Sequence, residues 1–295
     1  METRTTKPNY TAYLLVLAAG CCWGSTGLFN RHLTALGLTS TSIVILRNTG
    51  TALILAVALL VIDRSLFRIR LRHLPFFLGS GIVSLLIFTL CYFRSQQINS
   101  LALAAIMMYT APAFVVLLSV PIFKDRVNRK KLIALFLAFA GCVLAGGVLG
   151  GSFSLTLEGL LLGLGSGLFY ASYSIFARLA MQYYRSLTIT FYTFLVAAAG
   201  SLLLLAFGAA DYGAAQWTME TALHLAGLLV IGTVAPYLLY TTGLQGIGDG
   251  GKASILASVE PVVAAFVGVL AFGEPLGIGT VGGLVCILIS VWILR

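Results

Sequence analysis

Apolar residues run along this chain in blocks of roughly twenty, and the polar residues gather in the short gaps between them. A helix rises about 1.5 Å per residue, so a block of about 20 residues spans the hydrocarbon of a bilayer. Ten such blocks are present, over 12–30, 41–62, 75–94, 101–123, 131–149, 158–177, 187–207, 221–241, 252–272 and 276–294. The pattern predicts an all-α polytopic membrane protein with ten transmembrane helices. Composition agrees: 59% of the 295 residues are hydrophobic and 9% are charged, with a mean hydropathy of +1.02. A soluble domain carries about 25% charged residues, so this chain lacks the charge to cover a water-facing surface.

The formal charge of +9 is therefore read against a membrane. Two gaps are strongly basic. DRSLFRIRLRHL (63–74) carries Arg64, Arg68, Arg70 and Arg72, and KDRVNRKK (124–131) carries Lys124, Arg126, Arg129, Lys130 and Lys131. Placing both gaps in the cytoplasm also puts Arg4, Lys7, Arg178, Arg185, Lys252 and Arg295 there, which makes 15 of the 18 basic residues. Arg31 and Arg94 fall on the far side and Arg47 within a span. Basic residues collect in cytoplasmic loops, so both termini are expected inside and the location is a cell (plasma or inner) membrane. No nucleic-acid partner is implied. Cys21, Cys22, Cys91, Cys142 and Cys286 all lie in apolar runs and read as small buried thiols. His32, His73 and His224 are scattered. Neither a metal nor a cofactor is expected.

The two halves of the chain resemble each other. MYTAPAFVVLLSVPIFKDRV (108–127) aligns with ASVEPVVAAFVGVLAFGEPL (257–276) at an offset of 149, which superposes Pro112 on Pro261, Phe123 on Phe272 and Asp125 on Glu274. GCCWGSTGLFNR (20–31) aligns with GLFYASYSIFAR (167–178) at an offset of 147 and brings Arg31 onto Arg178. Residues 1–150 and 151–295 are thus read as two five-helix repeats. Five is odd, so the second repeat enters the membrane from the opposite face, an inverted-repeat plan common among secondary transporters.

WGSTGLFNR in span 1, LRNTG in span 2 and EPVVAAFVGVLAFGEPL across spans 9 and 10 resemble the EamA group of the drug/metabolite transporter superfamily. The resemblance extends over nearly the whole chain. It implies a central cavity among spans 1–4 and 6–9, with spans 5 and 10 at the periphery. Members of that group move amino acids, nucleotide precursors, quaternary amines or drugs, mostly outward. One departure is internal: Ala111 stands in the first repeat where the second has Glu260.

Glu260 is the leading candidate for chemistry. An acid in the interior of a span is costly and faces protein or water. It reads as a proton carrier or as a counter-charge for a cationic or zwitterionic substrate; the structural alternative is an acid bonded within the bundle or paired with Arg47. Pro112 and Pro261 each remove a backbone donor inside a span and read as matched hinges or as fixed kinks. Arg47 could bind a substrate carboxylate, pair with an acid or serve a gating role. Trp23, Tyr92, Tyr109, Tyr170, Tyr173, Tyr237 and Tyr240 sit in the spans that would line the cavity. Their rings suit a planar or cationic substrate, and also suit plain packing between helices. Gln96, Gln97 and Asn99 could line an outer vestibule.

No paired carboxylates, metal ligands or nucleophile constellation point to an enzyme, and no P-loop points to an ATP-driven pump. The sequence predicts a secondary transporter for small polar or zwitterionic metabolites, amino acids or their relatives, with proton coupling through Glu260 or none. The other reading is a transporter of organic cations such as choline-like amines or drugs. Oligomeric state is not encoded in anything legible.

Overall fold

A computed structural model describes residues 10–99, 101–145, 156–208, 217–273 and 277–294. Arg4, Lys7, Asp211, Glu274 and Arg295 lie outside the described residues, as do 146–149 of the fifth predicted span. Every regular element among the described residues is helical. Eight helices are long and apolar enough to cross a membrane: α1 (Tyr10–Ala35), α2 (Ser40–Ile62), α3 (Leu71–Ile98), α4 (Leu103–Phe123), α6 (Leu157–Ala180), α7 (Ser186–Ala206), α8 (Met219–Ile247) and α9 (Gly250–Phe272). The fifth and tenth predicted spans are shorter helices, α5 (Arg129–Ala145, 17 residues) and α10 (Ile278–Ile293, 16 residues).

Helix starts follow side-chain capping of orphan backbone donors. Thr39 accepts from Ser42 N at 3.2 Å, Thr156 from Gly159 N at 3.1 Å, Thr218 from Thr221 N at 3.2 Å and Asp249 from Lys252 N at 3.0 Å. Asp249 does a second task. Its carboxylate lies 2.7 Å from Lys131 Nζ, whose side chain is only 3% exposed. The bridge pins the start of α5 to the start of α9. Lys131, counted above with a cytoplasmic loop, is therefore a buried structural charge.

Irregularities fall at matching points of the two halves. α4 is interrupted at Tyr109–Thr110 and α9 at Ser258–Val259, 149 residues apart. In each case the helix restarts one residue before its proline, which then occupies the first turn of the new segment. That position tolerates proline, because the missing donor would have had no intrahelical partner. Pro112 and Pro261 therefore sit where the regular hydrogen-bond ladder is interrupted for two residues, while the backbone there keeps right-handed helical angles. α3 and α8 widen into π-helical turns at Gly79–Ile87 and Val230–Val234, again matched positions. α4 ends with Lys124 and α9 with Gly273 in the left-handed region, at φ 57° and 65°; Lys124 takes up a conformation for which its counterpart uses glycine.

Packing has the same symmetry. α1 packs on α8 as α6 packs on α3; α9 packs on α1 as α4 packs on α6; α2 faces α7, α5 faces α10, and α4 meets α9. Glycines allow the closest of these contacts. A Cβ at Gly167 would lie 2.8 Å from Met107 O beside the break in α4, and one at Gly20 would lie 2.8 Å from Ala257 O beside the break in α9. Each broken turn is thus covered by the glycine of the partner repeat. Buried hydroxyls stitch further seams, Ser80–Thr193 and Ser84–Ser172, both at 2.6 Å. Asn99 is buried rather than vestibular: its amide donates to Gly159 O at 3.0 Å. On the other side, Tyr184 joins the 63–73 connection to the α6–α7 turn by accepting from Arg70 N at 2.9 Å.

Candidate functional site

The two breaks face each other and enclose a pocket. Its wall includes Trp23 from α1, Tyr109 and Pro112 from α4, Tyr170 and Tyr173 from α6, Tyr237 and Tyr240 from α8, and Glu260 from α9. Trp23 is the hub. Its ring centroid lies 5.3 Å from Tyr237, edge-on at 81°, and 5.3 Å from Tyr240. Tyr173 meets Tyr237 edge-on at 5.1 Å. Such edge contacts hold aromatic rings in fixed relative orientation. Their hydroxyls are held too: Tyr173 bonds Thr241 at 2.8 Å and Tyr240 bonds Ser174 at 2.7 Å. The open space is small, about 30 Å³.

Glu260 stands in the first turn of the α9 segment that begins at the break. The positive end of a helix dipole favours a carboxylate there. Its backbone is pressed against α1: a Cβ at Gly24 would lie 2.6 Å from Glu260 O and 2.7 Å from Val263 Cβ. Gly24 is therefore a seat for the Glu260 turn. The pocket also takes Ser174, Ser254 and Ser258, which sequence reasoning passed over. Ser174 carried a signal, since it follows Tyr173 in the repeated YASYSIF stretch; Ser254 and Ser258 carried none beyond nearness to Glu260.

Two predicted residues lie elsewhere. Tyr92 stacks on Phe88 at 5.9 Å, Phe88 in turn meets Tyr170 at 5.1 Å, and the Tyr92 hydroxyl is within electrostatic reach of Glu260. Arg47 is half-buried on α2, with its Nε shielded from solvent and without a hydrogen-bond partner. It lies within electrostatic reach of Tyr237 in the wall and makes no ion pair with Glu260 among the described residues.

Matched arginines occupy the opposite ends of the cavity. The start of α9 packs on the end of α4, so the two helices run antiparallel and Phe123 and Phe272 lie at opposite ends. Arg178 forms a two-pronged bridge to Asp125, at 2.6 and 2.9 Å, with its guanidinium 4.1 Å above the ring of Phe123. Arg31 lies 4.5 Å above the ring of Phe272. Beside it, His32 and His224 stack at 4.4 Å. Among the described residues no group of three or more His, Cys, Asp or Glu could hold a metal ion.

Fold and site together define a polytopic membrane protein organised around an aromatic pocket with one carboxylate. The sequence matches the EamA-like transporter family twice, over residues 10–147 and 157–295. The chain belongs to that family. It is 34% identical over 186 residues to an uncharacterized transporter of Archaeoglobus fulgidus, a match spanning 63% of each chain. It is 23% identical over 286 residues to the uncharacterized transporter YyaM of Bacillus subtilis, covering 95% of this chain and 92% of that one. A solved crystal structure shares the fold with a TM-score of 0.80 at 18% identity, over 96% of each chain.

Proposed function

We propose that the chain is a secondary transporter working by alternating access. Ten spans would form two inverted five-helix repeats in a cell membrane, with the 63–74 and 124–128 connections and both termini on the cytoplasmic side. α5 and α10 would be the peripheral pair. The packing symmetry and the matched breaks support the repeat. Half-helix ends meeting near mid-membrane are where such carriers bind solute. The Arg178–Asp125–Phe123 station would close the inner end and the Arg31–Phe272 station the outer end.

The carrying observation is the pocket, in which one carboxylate is set among aromatic faces. This chemistry suits an ammonium group, through the charge of Glu260 and through cation–π contact. Amino acids and choline-like amines both carry one. The site suits either class: Arg47, within electrostatic reach of Tyr237 in the wall, would serve a substrate carboxylate, and a choline-like amine needs none. Proton exchange at Glu260 is the coupling route available to the site.

Purified protein in liposomes tests this. Counterflow of a labelled solute, chosen by a thermal-shift screen of amino acids and quaternary amines, should saturate and should fall roughly tenfold or more in Glu260→Gln, the loss of one charge-assisted contact. Flux without saturation or counterflow would identify a channel instead. Chemical change of the solute would identify an enzyme. Unaltered counterflow in Glu260→Gln would remove the carboxylate from the mechanism.

A further inference from the structure

A second pocket lies outside the central one, in the seam between α4 and α5. It encloses about 240 Å³ and is walled by Tyr109, Thr110, Ala113, Leu135, Phe136 and Ala138, among others. The corresponding seam of the second repeat, between α9 and α10, is filled. There Val259, Val262, Leu284 and Ile287 share one buried cluster with Cys142 of α5 and pack against Tyr109; Ile287 is fully shielded, in part by Gly141 of α5. Reading across at the offset of 149, Thr110 stands for Val259, Ala113 for Val262, Leu135 for Leu284 and Ala138 for Ile287. Three of the four are smaller or more polar in the first repeat. The void is thus a consequence of which side chains the first repeat lacks.

The pocket is apolar and opens sideways. Its rim residues Leu132 and Phe136 are 52% and 71% exposed, in a stretch of helix as apolar as the spans around it. The Thr110 hydroxyl is already spent on Met107 O at 2.6 Å, so it offers no free donor. Tyr109–Ala113 lie in the middle part of α4, at the depth where a bilayer offers hydrocarbon and neither water nor headgroups. The pocket is continuous with the bilayer-facing surface, and a cavity of this size left empty would forfeit contact along its whole lining.

We infer that this seam is a binding site for a lipid acyl chain, present in the first repeat and closed in the second. The chain would enter between Leu132 and Phe136 and end against Tyr109 and Pro112. Those two residues also wall the central pocket, so the bound chain would touch the break in α4 from behind. The inference does not depend on which solute the central pocket carries, or on whether it carries one.

The test uses the full protein in nanodiscs containing a phosphatidylcholine with a photoactivatable diazirine in mid-chain. After illumination, labelled peptides are mapped by mass spectrometry. Adducts on residues 109–113 and 132–139 should exceed those on the equivalent residues 258–262 and 281–288 by roughly threefold or more. Ala113→Val and, separately, Ala138→Ile install the side chains of the second repeat and should bring labelling down to that background. Ala113→Val is the milder change, and monodispersity on gel filtration reports whether either variant folds. Equal labelling of the two seams in the unmodified protein would overturn the inference, as would undiminished labelling in a folded Ala113→Val variant. Loss of labelling on addition of a transported solute would also overturn it, because the seam would then be a solute portal.

Discussion

Glu260 was conspicuous in the sequence because a carboxylate inside an apolar run has few reasons to be there. What surrounds it was less visible. Trp23 comes from the first helix and Tyr237 and Tyr240 from the eighth, yet they meet within 5.3 Å. Replacing Trp23 by alanine removes the hub of these edge contacts. It should cost about 3–5 kcal/mol if the site cannot collapse, seen as a lower thermal midpoint of the detergent-solubilised protein. Trp23→Phe keeps an aromatic edge and should retain most of that stability. Gly24 makes a different prediction. Its Cβ would meet Glu260 O at 2.6 Å, and overpacking of this kind costs about 1–3 kcal/mol. Gly24→Ala should therefore lower the midpoint and displace the Glu260 turn, whereas Gly27→Ala, where a Cβ meets nothing within 4 Å, should be neutral. A midpoint unchanged in Gly24→Ala would show that the α1–α9 contact is looser than the backbone distances imply.

Helices α4 and α9 each lose two residues of regular hydrogen bonding just before their prolines. Matching prolines were legible from the repeat, but the interruption was not. Gly167 and Gly20 from other helices pack against the carbonyls of Met107 and Ala257 beside it, and such long-range neighbours leave no local signature. Two ionic links hold element ends, and both can be broken selectively. Asp249→Ala would strip the cap from α9 and leave the Lys131 charge, 3% exposed, with no counter-charge and only the Arg126 carbonyl at 3.4 Å. Removing one member of a buried pair costs about 3–5 kcal/mol, so this variant should be poorly expressed or thermally weak. Asp125→Ala acts elsewhere: it frees Arg178 while leaving the Phe123 contact. If the Arg178 station closes the inner end, a cysteine introduced at Ser174 in an otherwise cysteine-free protein should be modified faster by a membrane-impermeant thiol reagent from the cytoplasmic side in Asp125→Ala. The exchanged pair Asp125→Arg with Arg178→Asp should return the rate toward its original value. An Asp125→Ala rate equal to that of the parent would remove the bridge from gating.

Across the molecule, the strongest expectation concerns direction in the membrane. The basic connections 63–74 and 124–128 should be cytoplasmic, so reagents that cannot cross the bilayer should modify cysteines placed there only from inside. Labelling from outside would reverse the topology and exchange the two ends of the pocket. Much of the architecture could be read without coordinates: the apolar blocks, the offset of 147–149 residues, and the oddity of Glu260 and the paired prolines. Hydropathy and repetition are local or translational properties, and the bilayer enforces them on every span. Chain order is silent on other points. Tyr92 and Tyr170 lie on different helices, yet both come within electrostatic reach of Glu260. Arg47 and Glu260 could have paired and do not. The void beside Ala138 and the filled seam at Ile287 differ by a few methyl groups whose effect appears only once α4 and α5, and α9 and α10, lie side by side. Sequence thus determines that the chain lives in a membrane as two related halves around one acid; tertiary packing decides which rings face that acid, because rotation and depth of each helix are set by its neighbours.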